Sequence, residues 1–386
     1  MKKLVLTFAA VALGGLVAFA QPSKSSVTST ASDNFTESLP TTTGSGNAAL
    51  VVQKGRDAGV ATGNFADVDQ DGAKNQALVE QIHNNHRAIL DQEGNNNDGS
   101  IKQRAAFNSN PPYPTKKNKW SNDHEMRQDG NNNDSRIVSF NDDNWGRVDV
   151  KGNNNFSHMG QSTNGVGHGN LATQYVTGND NWVGLRQTRD NNESYNDVKG
   201  NGNVLSVRQI QIPNLPWNQT AKGNYSEVDI DGDNNDVNQA NFNMQSSAGI
   251  YQLGDDNYAY VRVKGNGNDV KVDQFDSDDA TEGGVSNDAD VVINNGNNNF
   301  SRTFQDGDYN DSDIDVKNGN GNTSYADQLG MGNDSDIDQK NGNGNFGQVL
   351  QSGDYNDATV SQTGSNHFGA VFQYGNNNTG SVTQTP

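Results

Sequence analysis

From about residue 44 to residue 386 one pattern returns roughly every 11 residues, and that repetition limits the chain to very few architectures. Gln92, Gly94, Asn97, Ile101 and Gln103 form one copy. Val198, Gly200, Asn203, Val207 and Gln209 form another, and Gln362, Gly364, His367, Val371 and Gln373 a third. The closing residue of each copy opens the next. Counting from an anchor Asn as position 0, anchors run from Asn47 through Asn97, Asn203, Asn310, Asn333 and Asn356 to Asn378. His86, Ser246 and His367 fill the same slot elsewhere, for about 27 repeats in all.

Even positions carry the core. Position +2 is usually small, +4 is usually Val or Ile, and +6 is Gln, Val or Ile. Odd positions carry charges and aromatics, as in Asp311, Asp313 and Asp315. Period-two alternation predicts half-buried strands with a narrow interior and a solvent face. Gly and Asn before each anchor supply the turns, because both accept left-handed backbone. Position +6 alternates between Val or Ile (Val150, Val176, Val198) and Gln (Gln161, Gln187, Gln209). That predicts two strands per coil, about 22 residues, with a Gln ladder in one sheet and a Val/Ile ladder in the other. After Gln339 the residues are nearly all Gln (Gln351, Gln362, Gln373, Gln384). The expected fold is an all-β solenoid of strand–turn–strand coils, cross-β-like. No proline falls in an anchor-to-Gln segment, as ladder strands require. Loop insertions are expected near 56–61, 109–121, 164–167, 212–221 and 277–284.

Only 31% of residues are hydrophobic, too few for ordinary globular cores but enough for a thin stacked one. The net charge of −20 argues against nucleic-acid binding and leaves a solvated acidic surface. There is no cysteine, hence no disulfide and no thiolate site. Lys2 and Lys3, the apolar stretch 4–17 and Ala18-Phe19-Ala20 read as a secretory signal over 1–20, cleaved after Ala20. No later stretch is apolar enough to insert in a membrane. The Ser/Thr-rich segment 21–43 lacks strand alternation and reads as a flexible leader, a possible export-targeting segment.

Catalytic and metal readings find little support. Asp67, Asp69, Asp71 and Gly72 begin like a calcium loop, but Leu78 stands where its Glu belongs. Carboxylates recur everywhere, so none marks a cleft. The six histidines are scattered without a metalloprotease or nucleophile-elbow motif. No catalytic residue, metal ligand or cofactor is assigned.

Gln81, Gln92, Gly94, Asn97 and Gln103 resemble the curlin repeat of curli fibre subunits, as do Gln351, Gly353, Asn356, Ala358, Gln362, Gln373 and Gln384. The resemblance covers roughly 44–386. It implies an extracellular functional amyloid of a Gram-negative bacterium, shaping biofilm. It further implies a nucleator subunit, an outer-membrane export pore and periplasmic accessory proteins as partners. The array is longer and more acidic than in familiar members. Both ends are expected to be open strand edges, so copies should join head to tail into a homopolymer. The rival expectations are a monomeric solenoid adhesin or spacer, and a calcium-dependent secreted repeat protein.

Overall fold

A computed structural model describes residues 24–31, 37–42, 44–55, 64–83, 85–104, 122–161, 169–210, 223–237, 249–254, 256–275 and 286–386. The signal segment with Ala18 and Ala20, and all five expected insertions, lie outside the described residues. Among the described residues every regular element is a strand, and they group into two compact units, Met1–Asp190 and Asn191–Pro386.

In the first unit one sheet runs β1 (Lys24–Ala31), β2 (Ala48–Gly55), β4 (Gln76–Ile82), β6 (Asp98–Arg104), β8 (Asp134–Phe140), β10 (Phe156–Gln161) and β12 (Trp182–Thr188). Its other sheet runs β3 (Phe65–Ala73), β5 (His86–Asn95), β7 (Asn122–Asn131), β9 (Asn144–Lys151) and β11 (Leu171–Thr177). In the second unit one sheet runs β14 (Val204–Ile210), a level shared by β16 (Asp236–Val237) and β17 (Ile250–Leu253), then β19 (Asp269–Phe275), β21 (Phe300–Asp306), β23 (Thr323–Leu329), β25 (Phe346–Ser352) and β27 (Phe368–Tyr374). Its other sheet runs β13 (Glu193–Lys199), β15 (Tyr225–Asp231), β18 (Tyr258–Lys264), β20 (Asp288–Asn294), β22 (Asp311–Lys317), β24 (Asp334–Lys340), β26 (Asp357–Thr363) and β28 (Thr379–Gln384).

Successive strands go to alternate sheets, and same-sheet neighbours pair in parallel with like positions opposite. Gln81 pairs with Gln103, Ile314 with Ile337, and Gln351 with Gln373. This is the all-β solenoid with two strands per coil. Alternation of inward and outward side chains forces the arrangement, since β14, β18 and β25 each show the same every-second-residue burial. Two facing sheets then close over a core one side chain deep from each. Each buried Val or Ile there contributes about 1.5–3 kcal/mol relative to exposure.

Corners follow from backbone conformation. Gly94 sits at φ +107°, and a Cβ there would run into the carbonyl oxygen of Gly130 in the next coil. Asn96 then takes φ +56°, in the left-handed region that Asn tolerates.

Three features depart from the sequence reading. The 11-residue count makes Asn235 and Ser246 anchors of separate repeats; Ser246 lies outside the described residues, and β16 and β17 share one level. β16 supplies positions +1 and +2 after Asn235, and Ile250 pairs with Val207 and Val272 to supply +4. Gln252 therefore replaces Asn241 as the +6 residue. Second, the segment 21–43, read as lacking strand pattern, contains β1, which pairs with β2 from Lys24↔Ala48 to Ala31↔Gly55. Third, the odd side is not uniformly solvent. Lys54 and Glu80 are 1% and 0% exposed. Their ends meet at 2.5 Å, and Glu37 and Lys102 complete the cluster at 3.6 Å from Lys54 and Glu80 respectively.

Candidate functional site: the ladders and their ends

Each anchor Asn works in two directions. Its side-chain oxygen accepts the backbone N–H of the next anchor in the sheet, and its amide donates to a corner carbonyl. Asn133 N donates to Asn97 Oδ1 at 3.0 Å, while Asn97 Nδ2 donates to Gly130 O at 2.8 Å. In the second unit Asn203 Nδ2 donates to Gly232 O at 2.8 Å, beside the corner residue Gly200. Asn310, Asn333, Asn356 and Asn378 form part of the column of the other sheet, each later backbone N–H donating at 3.1 Å to the earlier Oδ1. Thus the corner is tied by side chains that reproduce main-chain pairing where the strands stop.

Each +6 Gln also crosses the interior. Gln92 Nε2 donates to Gln76 O (3.1 Å) on the facing strand and to Gln128 Oε1 (2.8 Å) one coil on. In the first unit Gln53, Gln81 and Gln103 stack in one sheet, and Gln161 and Gln187 further along it. In the second unit the ladder is unbroken from Gln209 through Gln252, Gln274, Gln305, Gln328 and Gln351 to Gln373. The opposite sheet carries Val198, Ile230, Val263, Ile293 and Val316 at that position, then Gln339, Gln362 and Gln384. Val207 is fully packed between these rows at +4. A buried amide left unpaired costs about 1–3 kcal/mol, so a ladder keeps every rung in place.

One rung is missing. Ser139 stands at +6 on β8, too short to link Gln103 to Gln161. The imidazole of His124, from β7 in the facing sheet, fills the gap. Gln103 Nε2 donates to His124 Nδ1 at 2.8 Å, and His124 Nε2 donates to Gln161 Oε1 at 2.8 Å. Gly146, the +2 residue of the next level, leaves room for the ring. Burial holds the His124 pKa down to about 4 and that of His86 down to about 3. His86 sits in an anchor slot, its Nε2 2.8 Å from Ile82 O. The sequence reading placed His86 correctly at a corner but gave His124 no role. Its signal was visible: the small +2 position is occupied by His in the repeat just before the one whose core Gln is replaced by Ser.

On the outer face of the second unit, in-register pairing stacks Asp288, Asp311, Asp334 and Asp357, and beside them Asp290, Asp313 and Asp336. Burial and then like-charged neighbours push the carboxyls of Asp288, Asp311, Asp313, Asp334 and Asp336 up, and that of Asp290 to about 6. Among the described residues no group of His, Asp or Glu has metal-holding geometry.

A family model for the curlin associated repeat matches residues 61–94, 246–275 and 356–385. The chain therefore carries curlin-type repeats at three places. The matched stretches include Gln70, Gln81 and Gln92 at one end and Gln362, Gln373 and Gln384 at the other, the regions where both sheets carry Gln at +6. The curlin family is one of structural, extracellular fibre subunits. No curated protein matches the chain. No helix among the described residues is long and apolar enough to cross a membrane.

The ends complete the site. β27 and β28 are the last strands of their sheets. Gln373 Nε2 donates to Asp357 O and Gln384 Nε2 to Phe368 O, both across the interior. Unlike the Gln residues before them, they have no following Gln within the chain. Val371 is 8% exposed, and Phe368 and Tyr374 are 66% and 70% exposed beside it.

Proposed function

We propose that this protein is a structural subunit of extracellular curli-like amyloid fibres, adding copy to copy by β-strand templating. The observation that carries the reading is that the two ends of the chain match. β2 offers Ala49, Val51 and Gln53 at +2, +4 and +6, and β3 offers Ala66, Val68 and Gln70. β27 offers Gly369, Val371 and Gln373, and β28 offers Gly380, Val382 and Gln384. Placing β2 of one copy on β27 of another, and β3 on β28, continues both Gln ladders, both Val rows and the small-residue rows. The contact is head to tail and does not close, so it yields a filament. Val or Ile occupies +6 only in the middle of one sheet, away from either end.

In this reading the protein catalyses nothing and takes no cofactor. Its fibre stands on the surface of a Gram-negative bacterium, in adhesion and biofilm matrix. Its further partners are those the resemblance implies: a nucleator subunit, an outer-membrane pore and periplasmic accessory proteins. The acidic outer face keeps fibres apart sideways while leaving the ends free.

β1 favours a second reading, a monomeric surface spacer, because it already lies on β2. Electron microscopy and fibre diffraction of the purified protein separate the two. Filaments with a meridional reflection near ~4.8 Å support the fibre. Discrete monomers at every concentration, pH and seeding condition support the spacer.

A further inference from the structure

The strand that ends one sheet comes from the segment outside the repeats. β1 lies in parallel on β2 over eight register pairs, Lys24↔Ala48 to Ala31↔Gly55. It has no counterpart in the facing sheet, where β3 is the last described strand at that end. Among the described residues the two sheets therefore end unevenly, one strand apart. At the other end of the chain β27 and β28 finish together as one coil.

This unevenness decides what can dock. If a copy approached β27 and β28 with β1 in place, β1 would cover β27. β3 would then face β28 across an empty strand slot, ~4.8 Å high. Val382 and Gln384 would meet nothing on that side. With β1 gone, β2 and β3 present two strands at matched levels, and both rows of side chains continue.

A latch follows the strand. Glu37 lies 3.6 Å from Lys54 Nζ, and its backbone N–H donates to Glu80 Oε2 at 3.3 Å. Its carbonyl accepts from Lys102 Nζ at 2.7 Å. These contacts lie on the outer face of β2, β4 and β6. They hold the segment by charge and hydrogen bonds. Charge-assisted contacts of this kind are stronger than neutral hydrogen bonds.

We propose that β1 is a removable cap, held by Glu37 against Lys54, Glu80 and Lys102, which closes the amino-terminal end to a second copy until it is withdrawn. The inference rests on the head-to-tail reading and adds to it an order of events: release of β1, then docking of β2 and β3 on β27 and β28. A capped copy keeps its carboxyl-terminal end open. It can therefore join a filament through β27 and β28 and then stop growth beyond itself.

The chain has no cysteine, so a single engineered pair gives a clean test. Ser26→Cys with Leu50→Cys joins directly opposed residues of β1 and β2. Oxidised, the full-length double variant is expected to stay free of filaments, and on reduction to form them as the unaltered protein does. Mixed into reduced protein, the oxidised form should shorten filaments in proportion to its fraction. A second variant, Glu37→Gln, should shorten the lag without any crosslink. Equal filament formation by oxidised and reduced forms overturns the cap and leaves the head-to-tail reading standing. No filaments from either form, or from the unaltered protein, overturns both.

Discussion

The unit Met1–Asp190 buries imidazoles, whereas Asn191–Pro386 stacks carboxylates on its outer face. Those imidazoles and those carboxylates respond to acid with opposite sign, while burial also raises Asp98 and Asp123 in the first unit. His86 and His124 are held below their ordinary value of 6.5, chiefly by burial. The unfolded chain takes up a proton more readily there. The stability these residues contribute is complete above about pH 6.5 and is lost as pH falls toward 4 and then 3. Asp269 and Asp290 are raised to about 6 by burial and by neighbouring carboxylates, and Asp288, Asp311, Asp313, Asp334 and Asp336 are raised too. Here the folded state binds protons more readily. Stability is greatest below 3.8 and declines as pH rises through about 6. One repeat thus yields two different materials, depending on whether its exceptions fall inside or outside the stack.

The sharpest way to break this contrast is acid itself. Between pH 7 and about pH 4.5, amides of β5 to β10 should lose hydrogen-exchange protection, while those of β20 to β24 gain it. A common direction in both units would refute the contrast. Next in size is His124→Ala, which leaves Gln103 and Gln161 without their bridge and opens a cavity, at about 2–4 kcal/mol by denaturant titration. The pair His124→Ser with Ser139→Gln restores the ordinary residue types at +2 and +6. It should recover most of that loss and flatten the acid response of the first unit. If the double variant is no better than the single one, the bridging role fails. In the second unit Val316→Gln should cost about 1–2 kcal/mol. Its amide reaches Gln339, but its oxygen faces Ile293. Smallest is Asp313→Asn, expected to stabilise by a few tenths of a kcal/mol at pH 7 and to do nothing at pH 3. An equal effect at both pH values would show that like-charge stacking is not its cause.

Much of this was legible in the residues, because a stack repeats its own rule. The +2, +4 and +6 pattern predicted which side chains face inward, and the alternation of Val176 with Gln187 predicted two sheets. Three things were not legible. Ile250 and Gln252 obey the 11-residue phase, so phase alone could not reveal that they finish the level begun by Asn235. β1 has no strand pattern of its own and is ordered by its pairing with β2. Lys54 and Glu80 occupy outward positions, and Glu37, far away in sequence, closes over them beside Lys102. Each case depends on a partner that local periodicity does not encode. The uniform Gln after Gln339 had no explanation within one chain. It acquires one only when β2 and β3 of a second copy are set beside it.

The interrupted rung at Ser139 has a consequence for how the stack finds itself. Neighbouring levels are so alike that a growing column could slip by one turn and still satisfy most of its pairs. His124 forbids this locally. Its ring needs a short residue behind it and a glycine ahead, and only the levels of β8 and β9 supply both. Shifted by one turn, the imidazole would meet a full-length glutamine and the serine would face a void. A single exception thus acts as a bookmark in an otherwise monotonous text, fixing the page number for every coil folded around it.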